Sequence, residues 1–197
     1  GNDIIDLLNV HYDRAIKCIH DENGIVGSII GDAVLAVFGT LRETRNKSLE
    51  SLKAAYNIQS VTAGLREELK LHRAELEKTR DLTEAEERVF KAVLISVGVG
   101  IDGGTVFYGN IGAVDRMTNT VIGDNVNSSS RLEGLTKIYK LPIIVSEYVK
   151  EEVLHDTNRY LFVEVDQVLV KGKTEGKRVY YPLDTQIEPA EVIEKYK

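Results

Sequence analysis

Residues 109–133 read GNIGAVDRMTNTVIGDNVNSSSRLE, and this stretch decides how the rest of the chain is read. Glycines at 109, 112 and 123 bracket short apolar pieces, and the polar run Asp124–Ser130 holds almost no side chain suited to a core. Asn127 and Arg131 then stand four apart, where an amphipathic pattern (Leu132, Leu135, Ile138) begins. Residues four apart on a helix share a face, so the two side chains can reach one ligand together. Arg presents a planar fork of donors matched to phosphate oxygens and keeps its charge at any relevant pH. An isolated Asn/Arg pair is equally compatible with a solvated helix face.

Upstream, residues 3–21 carry apolar side chains at Ile4, Leu7, Leu8, Tyr12, Ala15, Ile16 and Ile19, which predicts an amphipathic helix closed by the turn signal Asn23-Gly24. Residues 25–39, IVGSIIGDAVLAVFG, predict two short strands joined at Gly31-Asp32, with glycine first as in a type II′ turn. A carboxylate at such a tip, Asp32, suits Mg²⁺, which takes one or two carboxylates plus substrate phosphates, although Asp is also common in turns without a ligand. Residues 43–91 predict a long core helix followed by an exposed, charged insertion around 66–90. Thr83 and Glu86 have the spacing of a capping box that restarts a helix.

Downstream, the alternation of Val93, Ile95, Val97, Val99 and Ile101 predicts a strand, turned by Asp102-Gly103-Gly104 into a partner strand at 105–108. A brief strand at 119–122, a helix over about 126–139, a strand from Pro142 leading into a helix over 146–154, and a hairpin pairing 165–170 with 178–183 complete the pattern. This order predicts an α+β domain with helices over a largely antiparallel sheet, spanning 1–184, and a charged tail over 185–197.

Bulk properties narrow the function classes. Across 197 residues, 43% are hydrophobic and 28% charged, enough for a sizeable core. The net charge of −6 argues against a general nucleic-acid binder. The single Cys18 cannot form an internal disulfide, which fits a reducing, cytoplasmic setting. Apolar runs are too short to span a bilayer, so no membrane contact by the chain itself is expected. The chain opens at Gly1 rather than Met and is already amphipathic, as expected of a piece of a longer protein. No P-loop motif occurs. The four His residues lack metal-ligand spacing, and His11 and His20, nine apart, are expected at surface or boundary positions. Lys171 and Lys173 in VKGKTEGK could reach a polyphosphate or merely solubilise a hairpin edge.

Taken together, GSIIGDAVLAVFG (27–39), GVGIDGGTVFYGNIG (98–112), TNTVIGDNVNSSSRLEGL (118–135), PIIVSE (142–147) and LVKGK (169–173) resemble the class III nucleotidyl cyclases, the adenylate/guanylate cyclase catalytic domains. The resemblance covers residues 3–40 and 92–183. It implies a ferredoxin-like fold and conversion of a nucleoside triphosphate to the 3′,5′-cyclic monophosphate and pyrophosphate, with two Mg²⁺ (or Mn²⁺) ions clamping the attacking and leaving oxygens. It further implies that Asp32 is a metal ligand, that Asn127 positions the ribose and that Arg131 stabilises charge on the α-phosphoryl group. By the same resemblance Lys171 binds the terminal phosphates, while Thr120 and Ser28 occupy base-recognising positions. The family's first metal Asp and its opening strand would fall before Gly1. Ser28 stands where adenylate cyclases usually carry Lys and guanylate cyclases Glu, so base choice is poorly specified; Thr120 favours ATP over GTP. The resemblance also implies a homodimer with sites at the interface. Guanylate or mixed specificity, or a catalytically degenerate domain that binds nucleotide or a partner, are the alternatives.

Overall fold

A computed structural model describes residues 2–40, 46–92, 96–169 and 176–197. Helix α1 (Asn2–Asp21) leads through Asn23, at a left-handed φ of 62°, into the antiparallel hairpin β1 (Gly24–Ile30) and β2 (Ala33–Phe38). The hairpin loop is Gly31-Asp32, with Ile30 paired to Ala33 and Gly31 at φ 61°, as the type II′ reading requires. His11 is a correction: it is buried rather than at a boundary, and burial, followed by the nearby Arg14 charge, pushes its pKa down. His20 is exposed.

Helix α2 (Lys47–Thr79) starts at Asn46, whose side chain accepts a hydrogen bond from the Leu49 amide at 2.9 Å. It does not stop where the sequence turns charged. Leu65, Leu69 and Leu76 recur at helical steps and pack with Leu82, Val89 and Phe90 of the returning segment, including helix α3 (Glu84–Ala92). The insertion is a mostly exposed helical arm with a small apolar seam of its own. Each helix supplies half the seam, so neither has a full apolar stripe. The capping box forms as expected: Glu86 N–H donates to Thr83 Oγ1 at 3.2 Å and Thr83 N–H to Glu86 Oε2 at 2.9 Å.

The central sheet has the order β3-β6-β8-β7, from β3 (Val99–Ile101), β6 (Ile143–Ser146), β7 (Tyr160–Leu169) and β8 (Gly176–Asp184). Strand β3 runs parallel to β6, while β6 with β8 and β7 with β8 are antiparallel. This is the expected α+β architecture. Ile143 and Val145 point to one face, where Leu52 and Ala55 of α2 meet Val149 and Val153 of α5 (Glu147–Asp156). Ile144 points to the other face, against Leu132 of α4 (Asp124–Tyr139). The alternation of one fully buried strand thus separates two helical layers.

Three strand expectations change. The strand expected over 93–101 is described only at Val99–Ile101; residues 96–98 lie in no strand, and 93–95 fall outside the described residues. The segment after Gly104 is not its partner: β4 (Phe107–Ala113) pairs with β5 (Arg116–Ile122) as a separate hairpin. The reason is local, because Asn125 of α4 binds both the Asp102 carboxylate and the Gly103 carbonyl and draws the loop under the helix. The final hairpin starts earlier than expected, at Tyr160, and Val170 lies outside the described residues. Asp184 ends β8 fully buried, its carboxylate bridged by Arg159 at 2.6 Å, and the tail carries the short helix α6 (Ala190–Glu194).

Helix α4 approaches β3 backbone to backbone. A Cβ placed on Gly100 would fall 2.2 Å from the Glu133 nitrogen and 2.4 Å from the Ser129 oxygen. Gly100→Ala should therefore force α4 off the sheet and destabilise the fold by about 1–3 kcal/mol, seen as a lower urea midpoint. A wild-type midpoint would contradict this packing.

Candidate active site

Three elements converge around the polar stretch of residues 109–133. The β4–β5 hairpin carries Thr120, opposite Gly109, and runs directly into α4, which carries Asn127 and Arg131. Glycine is required within this hairpin at 112, where φ is 151° and a Cβ would lie 1.9 Å from the Arg116 oxygen. Strand β1 packs against β5, where a Cβ on Gly27 would sit 3.0 Å from Val121 Cγ2. Ser28 and Thr120, the chain neighbours of Gly27 and Val121, are both half-buried on these two strands.

Asn127 and Arg131 are both exposed, on the helix face turned away from Leu132 and Thr136, which are buried. The Arg131 guanidinium donates from Nη1 to the Leu169 carbonyl at 2.7 Å. Among the described residues no carboxylate pairs with it. Leu169 ends β7, immediately before residues 170–175, and Lys171 therefore lies outside the described residues.

Asp32 stands apart from this group. It is exposed at the β1–β2 tip, its backbone carbonyl accepting a 3.3 Å hydrogen bond from the Tyr12 hydroxyl. Among the described residues no hydrogen bond or ion pair links it to Asn127 or Arg131, and no three His, Cys, Asp or Glu side chains cluster as a metal cage. An unengaged carboxylate on a two-residue turn fits a hard-cation ligand, supplying one of the one or two carboxylates Mg²⁺ takes beside substrate phosphates. The tip is flanked by Ile29 and Ile30, 58% and 70% exposed. Exposed apolar side chains continue on the other hairpin at Phe107, Ile111, Val114 and Met117.

Sequence reasoning missed Asp102 and Asn125. The Asp102 side chain is 1% exposed, and its Oδ2 accepts from Asn125 Nδ2 at 3.0 Å and faces Lys177 Nζ at 3.7 Å. Its Oδ1 accepts from the Gly103 amide at 2.8 Å. Burial, the largest single influence, pushes its pKa up, but hydrogen bonds from Ser146, Ser128, Asn125 and the Gly103 amide together outweigh it and hold the carboxyl below its ordinary value. The available signal was Asn125 and Ser128 three apart on the side of α4 opposed to the exposed pair.

This is an α+β architecture with Asn127 and Arg131 on the exposed face of the helix that follows the β4–β5 hairpin. Residues 1–185 match the adenylate and guanylate cyclase catalytic domain, and the chain belongs to that family. It is 29% identical over 98% of its length to the terminal-differentiation-specific adenylate cyclase of Dictyostelium discoideum, and 33% identical over 90% of its length to the adenylate cyclase of Anabaena cylindrica. The chain spans only 8% and 32% of those two proteins. Among solved structures, the guanylyl cyclase Cya2 shares the fold with a TM-score of 0.67 at 20% identity, covering 92% of this chain and 80% of that one. Among the described residues no helix is long and apolar enough to cross a membrane.

The Asp102 environment makes a direct prediction. A carboxyl whose folded pKa is depressed contributes stability that is present above its unfolded pKa and lost as pH falls through the folded value. An NMR titration should find Asp102 still ionised at pH 3.8, the ordinary Asp value, with its contribution disappearing only below that pH. Half-protonation at or above pH 3.8 would contradict the hydrogen-bonded geometry.

Proposed function

We propose that the chain is a cyclase catalytic domain that converts ATP to 3′,5′-cyclic AMP and pyrophosphate in intracellular cyclic-nucleotide signalling. The observation that carries this reading is Arg131 sharing an exposed face of α4 with Asn127, with no carboxylate pairing it among the described residues. The ribose 3′-oxygen attacks the α-phosphorus in line and pyrophosphate leaves from the opposite side. Asn127 orients the ribose. Arg131 exchanges its bond to the Leu169 carbonyl for the α-phosphoryl oxygens, where charge develops. Thr120 and Ser28 meet the base at the β1–β5 seam, and Lys171 takes the terminal phosphates. Asp32 holds one of the two divalent cations, Mg²⁺ or Mn²⁺, which when bound lower the cost of charge on the attacking and leaving oxygens.

Among the described residues no hydrogen bond or ion pair joins Asp32 to Asn127 or Arg131, and several apolar side chains of both hairpins are exposed. Both features support a C₂ homodimer in which the metal residue of one copy completes the Asn/Arg face of the other. The relatives named as adenylate cyclases and Thr120 support ATP. Ser28, half-buried and uncharged, is the one observation that favours mixed or guanylate specificity.

The test is cyclic product formation from ATP and from GTP, with Mg²⁺ or Mn²⁺, by the chain with its preceding residues restored. Cyclic AMP as the main product is expected, whereas no product from either nucleotide would leave a binding domain. Arg131→Ala should lower kcat on the order of 10²-fold with a far smaller effect on nucleotide affinity. An equal loss of binding would contradict a transition-state role.

A further inference from the structure

Asn127 and Arg131 can act only if α4 presents them at a fixed rotation, and the structure shows what sets it. Asn125, Ser128, Leu132 and Thr136 form one stripe of the helix, at steps of three and four residues. Asn127 and Arg131 lie roughly 120° round the axis from that stripe. Its lower part is apolar and packs on the sheet at Leu132. Its first turn is polar and is held chiefly by the Asp102 carboxylate. That carboxylate gathers Asn125 and Ser128 from α4, Ser146 from the end of β6 and Lys177 from β8. Asn125 is doubly held, donating to the Gly103 carbonyl at 2.8 Å as well.

We propose that Asp102 is a positioning residue of the active site: its buried carboxylate fixes the first turn of α4 and thereby sets where Asn127 and Arg131 meet the substrate. It touches neither residue. Its leverage is geometric, because a rotation of about 10° moves the surface of a helix, ~5–6 Å from the axis, by about 1 Å. A misplacement of that size can cost on the order of 10²-fold in rate. The Lys177 charge balances the carboxylate, so the anchor carries no unpaired buried charge. This inference rests on the cyclase reading above, and the test separates the two.

Asp102→Ala, Asp102→Asn and Asn125→Ala are compared with wild type by steady-state kinetics and by hydrogen exchange of the amides of residues 124–131, using the chain with its preceding residues restored. Asp102→Ala should lower kcat on the order of 10²-fold with KM changed less than about threefold. Asp102→Asn keeps an acceptor for Asn125 and should recover most of the loss. Exchange should rise over 124–131 and stay unchanged in α5. A kcat for Asp102→Ala within about twofold of wild type, or no recovery with Asp102→Asn, would overturn the proposal. If Asp102→Ala does not fold, Asn125→Ala removes the same bond from the other side and must show the same separation of kcat from KM; a wild-type kcat there overturns it. If wild type itself turns over neither ATP nor GTP, the cyclase reading fails, and exchange alone decides: wild-type protection of 124–131 in the folded variants overturns the positioning role.

Discussion

The contact between α4 and β3 is the constraint on which the rest of the structure depends. Gly98 and Gly100 let the helix backbone come within van der Waals range of the strand: a Cβ at either glycine would clash with Thr136, Glu133 or Ser129. That close approach buries Leu132 against Ile144 and Val179, and leaves Asn127 and Arg131 facing outward. It also explains the hairpin excursion between β3 and α4. The chain leaves β3 at Asp102, runs out through β4 and β5, and returns to place Asn125 over the residue it left. The polar run that would be unsuited to a core is satisfied at its inner side by one buried carboxylate, and at its outer side by solvent.

The opposite face of the sheet is held by different means. The N-terminus of α2 is tied to α5 by Asn46, Lys47 and Ser48, which bind Glu152 or its backbone carbonyl. Burial, the largest influence on Glu152, raises its pKa, but the partners Lys47, Ser48 and Tyr148 prevail and hold it low. The sheet thus has an apolar, cross-linked back and a site-bearing front. The helical arm of α2 and α3 projects beyond that back layer with its own seam at Leu65, Leu69 and Phe90.

Much of this was legible from sequence where one element carried its own signal. The α1 helix, the Gly31-Asp32 turn, the Thr83–Glu86 capping box and the helix that carries Asn127 and Arg131 are all local, and each formed as read. What was not legible depended on partners distant in the chain. The arm's small seam was not legible because Leu69 and Phe90, twenty-one residues apart, each complete the other's apolar face. The expected β3 hairpin failed because β3 pairs with β6, more than forty residues later, and because Asn125 captures Gly103. Asp102 escaped notice for the same reason, since its partners are spread over residues 103–177 and no spacing rule gathers them.

Asp32 sits on an exposed tip, and among the described residues no hydrogen bond or ion pair joins it to Asn127 or Arg131; in the proposed homodimer a second copy completes each site. The most direct test mixes two inactive proteins, one carrying Asp32→Ala and the other Asn127→Ala, and measures cyclic-nucleotide synthesis. Random pairing makes half the dimers mixed, each with one intact site, so activity should recover to about a quarter of wild type. A mixture as inactive as either protein alone, under conditions where the chains exchange, would contradict a shared site.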